Sequence, residues 1–487
     1  MVGPGLRSPG RARCAASSVN SPQPESPTVS SDPTPATPID PASAAPIGAA
    51  TARFIAQPHA WSAGVLDMAK RCLADWMGCA LGAYHQPATG VFRRTVAGWG
   101  ARGDARILLG DTTAPALAAL VNGTMAHTLD YDDTRADAAS HLSGPTWGAA
   151  FAVASHLGAG AAETLAAFAT GFEVGAVLGG TAFEEKLLFR GFHTTSVFGR
   201  FSGAAAAAVL MGLSEAQTAQ ALGFCATNAA GLNASFGTMN KPSHAGKAAM
   251  DGILAAQLAA EGFQATTNLL DADNGLAGTF VQDRSARIKR ADFTEGHSLL
   301  TNTFKPYACG KLIHGHIDAA RSLRERIAGR PVERIHLLVS PLGGKHVGRG
   351  DPRTPLEAKF SIAYGVALAL LGYAARPRDF SEERLADPAV RDLMGRVSLE
   401  VRPEVGLWGS VMDVTLADGE TLHAEVAESW GNPGNPLTWA DLNDKFTDLV
   451  EPVLGPRTQS LFDAIRGFES PGAFARVLEL VSGAPVG

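Results

Sequence analysis

Cysteine is scarce in this 487-residue chain: Cys14, Cys72, Cys79, Cys225 and Cys309 are scattered, odd in number, and never form Cys-x-x-Cys. That spacing argues against a disulfide framework, a zinc ribbon, or an iron–sulfur cradle with a close cysteine pair. It suits a reducing, cytoplasmic setting. Charge is also sparse. Charged residues make up 18%, and 41 basic against 47 acidic side chains leave a net charge of −6. A nucleic-acid partner, which needs a concentrated basic surface, is not expected. Nor is a membrane partner, because no run of about 18 strongly apolar residues is evident. The Ala-rich stretches at 148–162 and 202–209 are interrupted by Gly, His or Ser. Three catalytic signatures are missing: a Gly-rich nucleotide fingerprint, His-Glu-x-x-His, and Gly-x-Ser-x-Gly. These absences leave no obvious cofactor.

What is present is a large apolar fraction, 46%, enough for a sizeable core. The length suggests two or three domains. Residues 1–47 stand apart. They are dominated by Pro, Ser, Ala and Gly, cannot bury enough apolar surface to offset their ordering entropy, and are expected to be a disordered tail. They lack the apolar stretch of a secretory signal.

From about residue 48 the pattern is helical. Leu66, Ala69, Leu73, Met77, Ala80 and Leu81 form an i, i+3/i+4 stripe over 65–82. Further helices are predicted over 114–127, 146–156, 163–178, 197–211, 214–230 and 244–260. Ser214-x-x-Gln217 reads as a capping box, and Gly212 before it as a helix stop. After about residue 300 the texture changes. Strands are predicted over 333–340 and 396–402, with a helix over 357–371 between them. A hairpin over 410–426 turns at Asp418-Gly419. Helices return over 439–450, 458–468 and 473–481. The expected fold is mainly α. A large helical domain (48–300, completed by 429–487) carries an inserted, smaller α+β lid domain (301–428). A cleft between lobes is a favoured ligand site.

Three segments concentrate ionisable groups in small, apolar surroundings. The first runs from His127 through Asp130, Asp132, Asp133 and Thr134 to His141. Its carboxylates repel one another unless they accept N–H bonds, bind a cation or share a proton; a capped, solvated turn is the plainer reading. The second contains Lys241, His244 and Lys247 before an Ala-rich helix, where cations and helix N–H groups suit an anion. Surface lysines at an ordinary helix start are the alternative. The third contains Lys305, Cys309, Lys311 and His314. Cys309 is read there as packing rather than as a nucleophile. His193 precedes another helix, as a cap, a core residue or a catalyst. Together the segments describe a site for a small polyanion with acid–base chemistry.

These residues resemble the MmgE/PrpD family over nearly all of the chain from about Ala52. The resemblance is carried by Asn122-Gly123, His127-x-x-Asp-x-Asp-Asp-Thr134, His141-x-Ser-Gly144, Lys241-Pro-x-His-Ala-Gly246, Lys305-x-Tyr-x-Cys309 and Lys359-Phe-Ser-x-x-Tyr364. It implies the helical domain and lid described above, a homodimer, and no metal or organic cofactor. It also implies a lyase for a small di- or tricarboxylate, since members include dehydratases, decarboxylases and epimerases of such acids. By position, the resemblance makes Asp130, His141, His193 and Tyr364 catalytic. It likewise implies that Thr134, Lys241, Lys305, His244 and His314 bind substrate. One departure stands out: Gly310 occupies a position where the family's decarboxylases carry a His.

The implied chemistry is removal of a proton α to a carboxylate. Lysines hold the carboxylates, and His141 transfers the proton. An epimerase on the same fold, or a non-catalytic scaffold, is an alternative. A more distant rival is a magnesium-dependent class I terpene synthase, suggested by Asp132-Asp133 with Asp137 and by Asn443-Asp444-x-x-Thr447-x-x-x-Glu451.

Overall fold

The computed structural model describes residues 46–486, except 136–139, 285, 287, 289–292, 294 and 295. The tail expected over 1–47 lies outside the described residues but for Pro46 and Ile47, and Asp137 lies outside them too. Ile47 already opens a helix, Ile47–Ala56.

Most of the described chain is helical, and the helices begin and end where local chemistry dictates. Ser62 caps Ala63–Gly82, its Oγ accepting from the Val65 amide at 3.3 Å. The expected Ser214/Gln217 capping box forms, and Gly212 ends Thr194–Met211 at φ +65°. Four helices pack around one another at the centre: Pro115–Thr128, Ser143–Leu157, Thr194–Met211 and Asn240–Ala260. Small residues set their spacing. A Cβ on Gly123 would lie 2.9 Å from the Cα of Gly246, so these backbones nearly touch. Large side chains fill the space between these helices and their neighbours, as where the buried Trp147 stacks on Phe168 with ring centroids 4.3 Å apart.

Asn240–Ala260 begins at Asn240 rather than His244. Pro242 is tolerated in a first turn, where its missing N–H has no partner to lose. Lys241 thus sits inside the helix start instead of in the preceding loop. A second difference concerns the sequence-based expectation of no membrane-length apolar helix. Ala161–Gly179 has the length and mean hydropathy of a span. Most of it is buried within the protein, against Thr194–Met211.

The main sheet has four strands in the order 397–401, 332–339, 410–416, 421–426. Val332–Val339 pairs parallel with Val397–Val401, Ile335 opposite Val397, and antiparallel with Ser410–Leu416. The hairpin turns at Asp418-Gly419, with Gly419 at φ +87°. Helix His314–Ile327 covers this sheet. The single helix expected over 357–371 is two, Pro355–Ala358 and Ile362–Leu370. Ser361 interrupts it by capping the second piece, its Oγ accepting from Tyr364 N at 3.2 Å, and by bridging to Gly348. The break turns Lys359 inward. Near the C-terminus, Trp439–Leu454 lies back on Ala63–Gly82. A Cβ on Gly78 would meet the Phe446 ring at 3.1 Å.

Candidate active site

The helix Pro115–Thr128 ends just before Asp130, whose backbone adopts φ +52°. Asp is among the few residues that take this left-handed conformation at modest cost. Its buried carboxylate lies between two lysines from distant parts of the chain. Oδ1 accepts from Lys241 Nζ at 2.6 Å and Lys305 Nζ at 3.0 Å, and Lys305 also reaches the Asp130 carbonyl at 2.9 Å. Oδ2 has no hydrogen-bond partner among the described residues. Burial alone would raise the Asp130 pKa, but Lys241 and then Lys305 hold it well below the usual carboxylate range. Thr134 and Arg135 form a two-residue ladder with Asn302 and Thr303. This ladder ties the Asp130 segment to the Lys305 segment.

Behind Asp130 lies a carboxylate–histidine cluster. Asp132 accepts from His127 Nδ1 at 2.8 Å and lies 3.4 Å from His141 Nδ1. His141 Nδ1 also faces the Asp133 carbonyl at 2.8 Å. Both neighbours of that nitrogen are acceptors, so it carries the proton and Nε2 is left as the basic lone pair. Burial lowers His141 and brings His127 down to about 4, with Asp132 opposing in each case. Near neutral pH these are neutral imidazoles donating to a carboxylate, not imidazolium ion pairs. His193 lies 2.8 Å, Nδ1 to Nδ1, from His244, so one of the two donates to the other.

Asp130, Thr134, His141, His193, Lys241 and Lys305 line one cavity of about 60 Å³. The structure therefore brings together six of the nine residues singled out in the sequence. The other three lie elsewhere. His244 backs His193 rather than facing the cavity. His314 is wholly buried, its Nε2 3.3 Å from the Cys309 carbonyl and its ring against Tyr307. Tyr364 is also wholly buried, and its hydroxyl donates to the Asp379 carbonyl at 2.6 Å. Helix Ile362–Leu370 carries Tyr364 away from the cavity, while the preceding break leaves Phe360 lining it. Cys309 is buried and its thiol is pushed up to about 12 by desolvation, which suits packing.

Other groups on the cavity wall were not singled out as site residues: Lys311, His346, Trp408 and Phe236. Lys359 lies close by, donating to the carbonyls of Leu129 and Ala308, with burial lowering it to about 8. A lysine in an apolar stretch was the available signal for Lys311 and Lys359. Gly310 lines the cavity as well, and a Cβ there would meet Val347 Cγ1 at 3.2 Å.

A third layer supports the site. Asp75 accepts from Lys445 Nζ at 2.6 Å and from the Asp133 amide at 2.8 Å. Lys445 also holds the carbonyls of Tyr131 (2.6 Å) and Lys305 (3.0 Å). Asp133 Oδ2 accepts from Ser143 at 2.5 Å and Asn302 at 2.8 Å. Burial, then the neighbouring Asp75, push the Asp133 carboxyl up to about 8.

For a metal, His127, Asp130, Asp132 and His141 offer ligand atoms within 4.8 Å of one another. Two ammonium groups already occupy Asp130 Oδ1, which disfavours a second cation there. The Asp132-Asp133 pair of the terpene-synthase reading is committed to His127, His141, Ser143 and Asn302.

The chain matches the MmgE/PrpD N-terminal domain over residues 49–289 and the MmgE/PrpD C-terminal domain over residues 307–466. Among curated relatives, it is 31% identical to the cis-aconitate decarboxylase of Homo sapiens over 373 residues, 73% of this chain and 77% of the relative. It is 28% identical to the Mus musculus cis-aconitate decarboxylase over 376 residues, 73% of this chain and 76% of the relative. With the cis-aconitate decarboxylase of Aspergillus terreus it shares 26% over 450 residues, 86% of this chain and 92% of the relative.

Proposed function

The chain belongs to the MmgE/PrpD family, and from that premise we propose that it is a lyase forming a carbanion next to a carboxylate of a small di- or tricarboxylate. The observation that carries this reading is the meeting of Lys241 and Lys305 on Asp130 beside a neutral, oriented His141. The two lysines supply the cationic face for the substrate carboxylate and for the enediolate charge that builds on it. His141 Nε2 takes the α-proton, its other nitrogen being held by Asp133 and Asp132. With His244 donating to its Nδ1, His193 would keep its proton on Nε2, from which a departing hydroxyl can draw it. Loss of CO₂ would reach the same kind of carbanion, which then takes a proton at carbon.

Relatives named as cis-aconitate decarboxylases make cis-aconitate the first substrate to test. The cavity volume of about 60 Å³ suits a few waters, at roughly 10–15 Å³ each.

The reading is tested by incubating the protein in D₂O with cis-aconitate, 2-methylcitrate, citrate or iminodisuccinate and following product and α-deuteration by NMR. Conversion or exchange of at least one acid, unchanged by EDTA, is expected. No conversion and no exchange with any of them would favour a scaffold. We also propose a homodimer, to be checked by light scattering on the eluted protein.

A further inference from the structure

Lys311 is a buried lysine on the cavity wall without an acidic partner. Its Nζ makes one hydrogen bond, to the Trp430 carbonyl at 3.2 Å, and no described carboxylate pairs with it. The neighbouring acid, Asp318, is committed elsewhere: it accepts from Tyr307 Oη at 2.5 Å and from Trp430 N at 2.8 Å. The other buried lysines of this region are satisfied. Lys241 and Lys305 share Asp130, and Lys359 holds two carbonyls. An ammonium removed from water without an anion is costly, and a ligand anion is what would offset that cost.

A second group on the same wall is also unsatisfied. His346 Nε2 is buried with no hydrogen-bond partner among the described residues. Its helix, Pro341–Val347, packs on the 3₁₀ turn Lys311–Ile313 that carries Lys311. Between these elements Gly310 contributes no side chain. Burial lowers Lys311 to about 7, so an arriving carboxylate would restore the full charge.

We propose that Lys311, assisted by His346, is a carboxylate subsite for a group beyond the one held at Lys241 and Lys305, and that it selects acids with three carboxylates over acids with two. This inference rests on the carboxylate-lyase reading above and assigns one residue's part in it.

The test is calorimetric binding of two inert probes, tricarballylate and glutarate, to the wild-type protein, K311M, K311R and H346Q. Wild type is expected to bind tricarballylate at least tenfold more tightly than glutarate. K311M should lose that preference by weakening tricarballylate at least tenfold while leaving glutarate within twofold. K311R should keep most of the preference, and H346Q should lose a smaller part. K311M should also melt higher than wild type without ligand, because it removes an unpaired buried charge; a lysine serving only structure would melt lower when replaced. Should K311M fail to fold, K311Q repeats the comparison. Unchanged tricarballylate binding by K311M overturns the assignment. Failure of wild type to bind either acid overturns the carboxylate-site reading instead.

Discussion

Lys241 and Asp130 meet at 2.6 Å inside the protein, and Asp130 takes a left-handed backbone to make the contact. Lys305 shares the same oxygen, so one carboxylate offsets part of the charge of two ammonium groups and leaves the cluster net positive. Removing it leaves two buried cations without an acid. D130A is expected to lose about 3–5 kcal/mol of stability, the usual cost of breaking a buried pair, and to lose turnover. D130N keeps the shape and tolerates the same φ, so it should lose less stability but still lose turnover. Chemical denaturation and an activity assay on both variants check this. A stable, fully active D130A would contradict the arrangement.

His141 and Asp132 give a pH prediction. Burial depresses the His141 pKa, so the acid limb of kcat/KM should lie below the ordinary histidine value of about 6.5. Asp132 opposes that depression. D132N therefore should move the acid limb to still lower pH and reduce kcat, since the imidazole also loses an anchor. H141Q should lose roughly 10²–10⁴-fold in turnover with little change in stability. An acid limb unmoved in D132N would remove Asp132 from this role.

Much of the fold can be read from residue patterns because its signals are local. The Ser214/Gln217 box, the Asp418-Gly419 turn and the small-residue helices each depend on neighbours in sequence. The Asp130, His141, Lys241 and Lys305 constellation is legible for a different reason: polar groups in apolar, Ala-rich surroundings are conspicuous. What is not legible is long-range. Asp75, Asp133 and Lys445 come from three distant segments, and nothing near Lys445 marks it as buried. Tyr364 shows the converse. Its motif neighbour Lys359 lies by the site, but the three-residue helix break at 359–361 leaves the tyrosine on the next helix, bonded to the Asp379 carbonyl.

The closest approach between central helices is a sensitive point. Gly123 and Gly246 leave no room for a methyl group, and the helix bearing Gly246 also bears Lys241. G246A should cost about 1–3 kcal/mol or more through overpacking. It should also weaken carboxylate binding by displacing Lys241, although Gly246 itself is absent from the cavity lining. Melting curves and tricarballylate titrations on the same preparation would show both effects. Preserved stability would mean that the two helices can separate at no cost.

The Asp133 carboxyl makes stability depend on pH with a definite sign. Its folded pKa is pushed up to about 8 by burial and by Asp75, against an ordinary value of 3.8. Between these values the folded chain keeps a proton that the unfolded chain has released. The linkage slope is therefore negative, and stability falls as pH rises from about 4 towards 8, by at most about 1.4 kcal/mol per pH unit from this group. D133N copies the protonated acid: its carbonyl can still accept from Ser143 and Asn302, and it cannot ionise. Below about pH 4 the variant and wild type should be similarly stable, and the variant's advantage should grow from pH 5 to pH 8. His127 and His141 titrate in both proteins, so the difference between the two urea-denaturation series isolates Asp133. A difference that stays constant from pH 5 to pH 8 would mean that Asp133 is already ionised in the folded protein, with Lys445 compensating both acids.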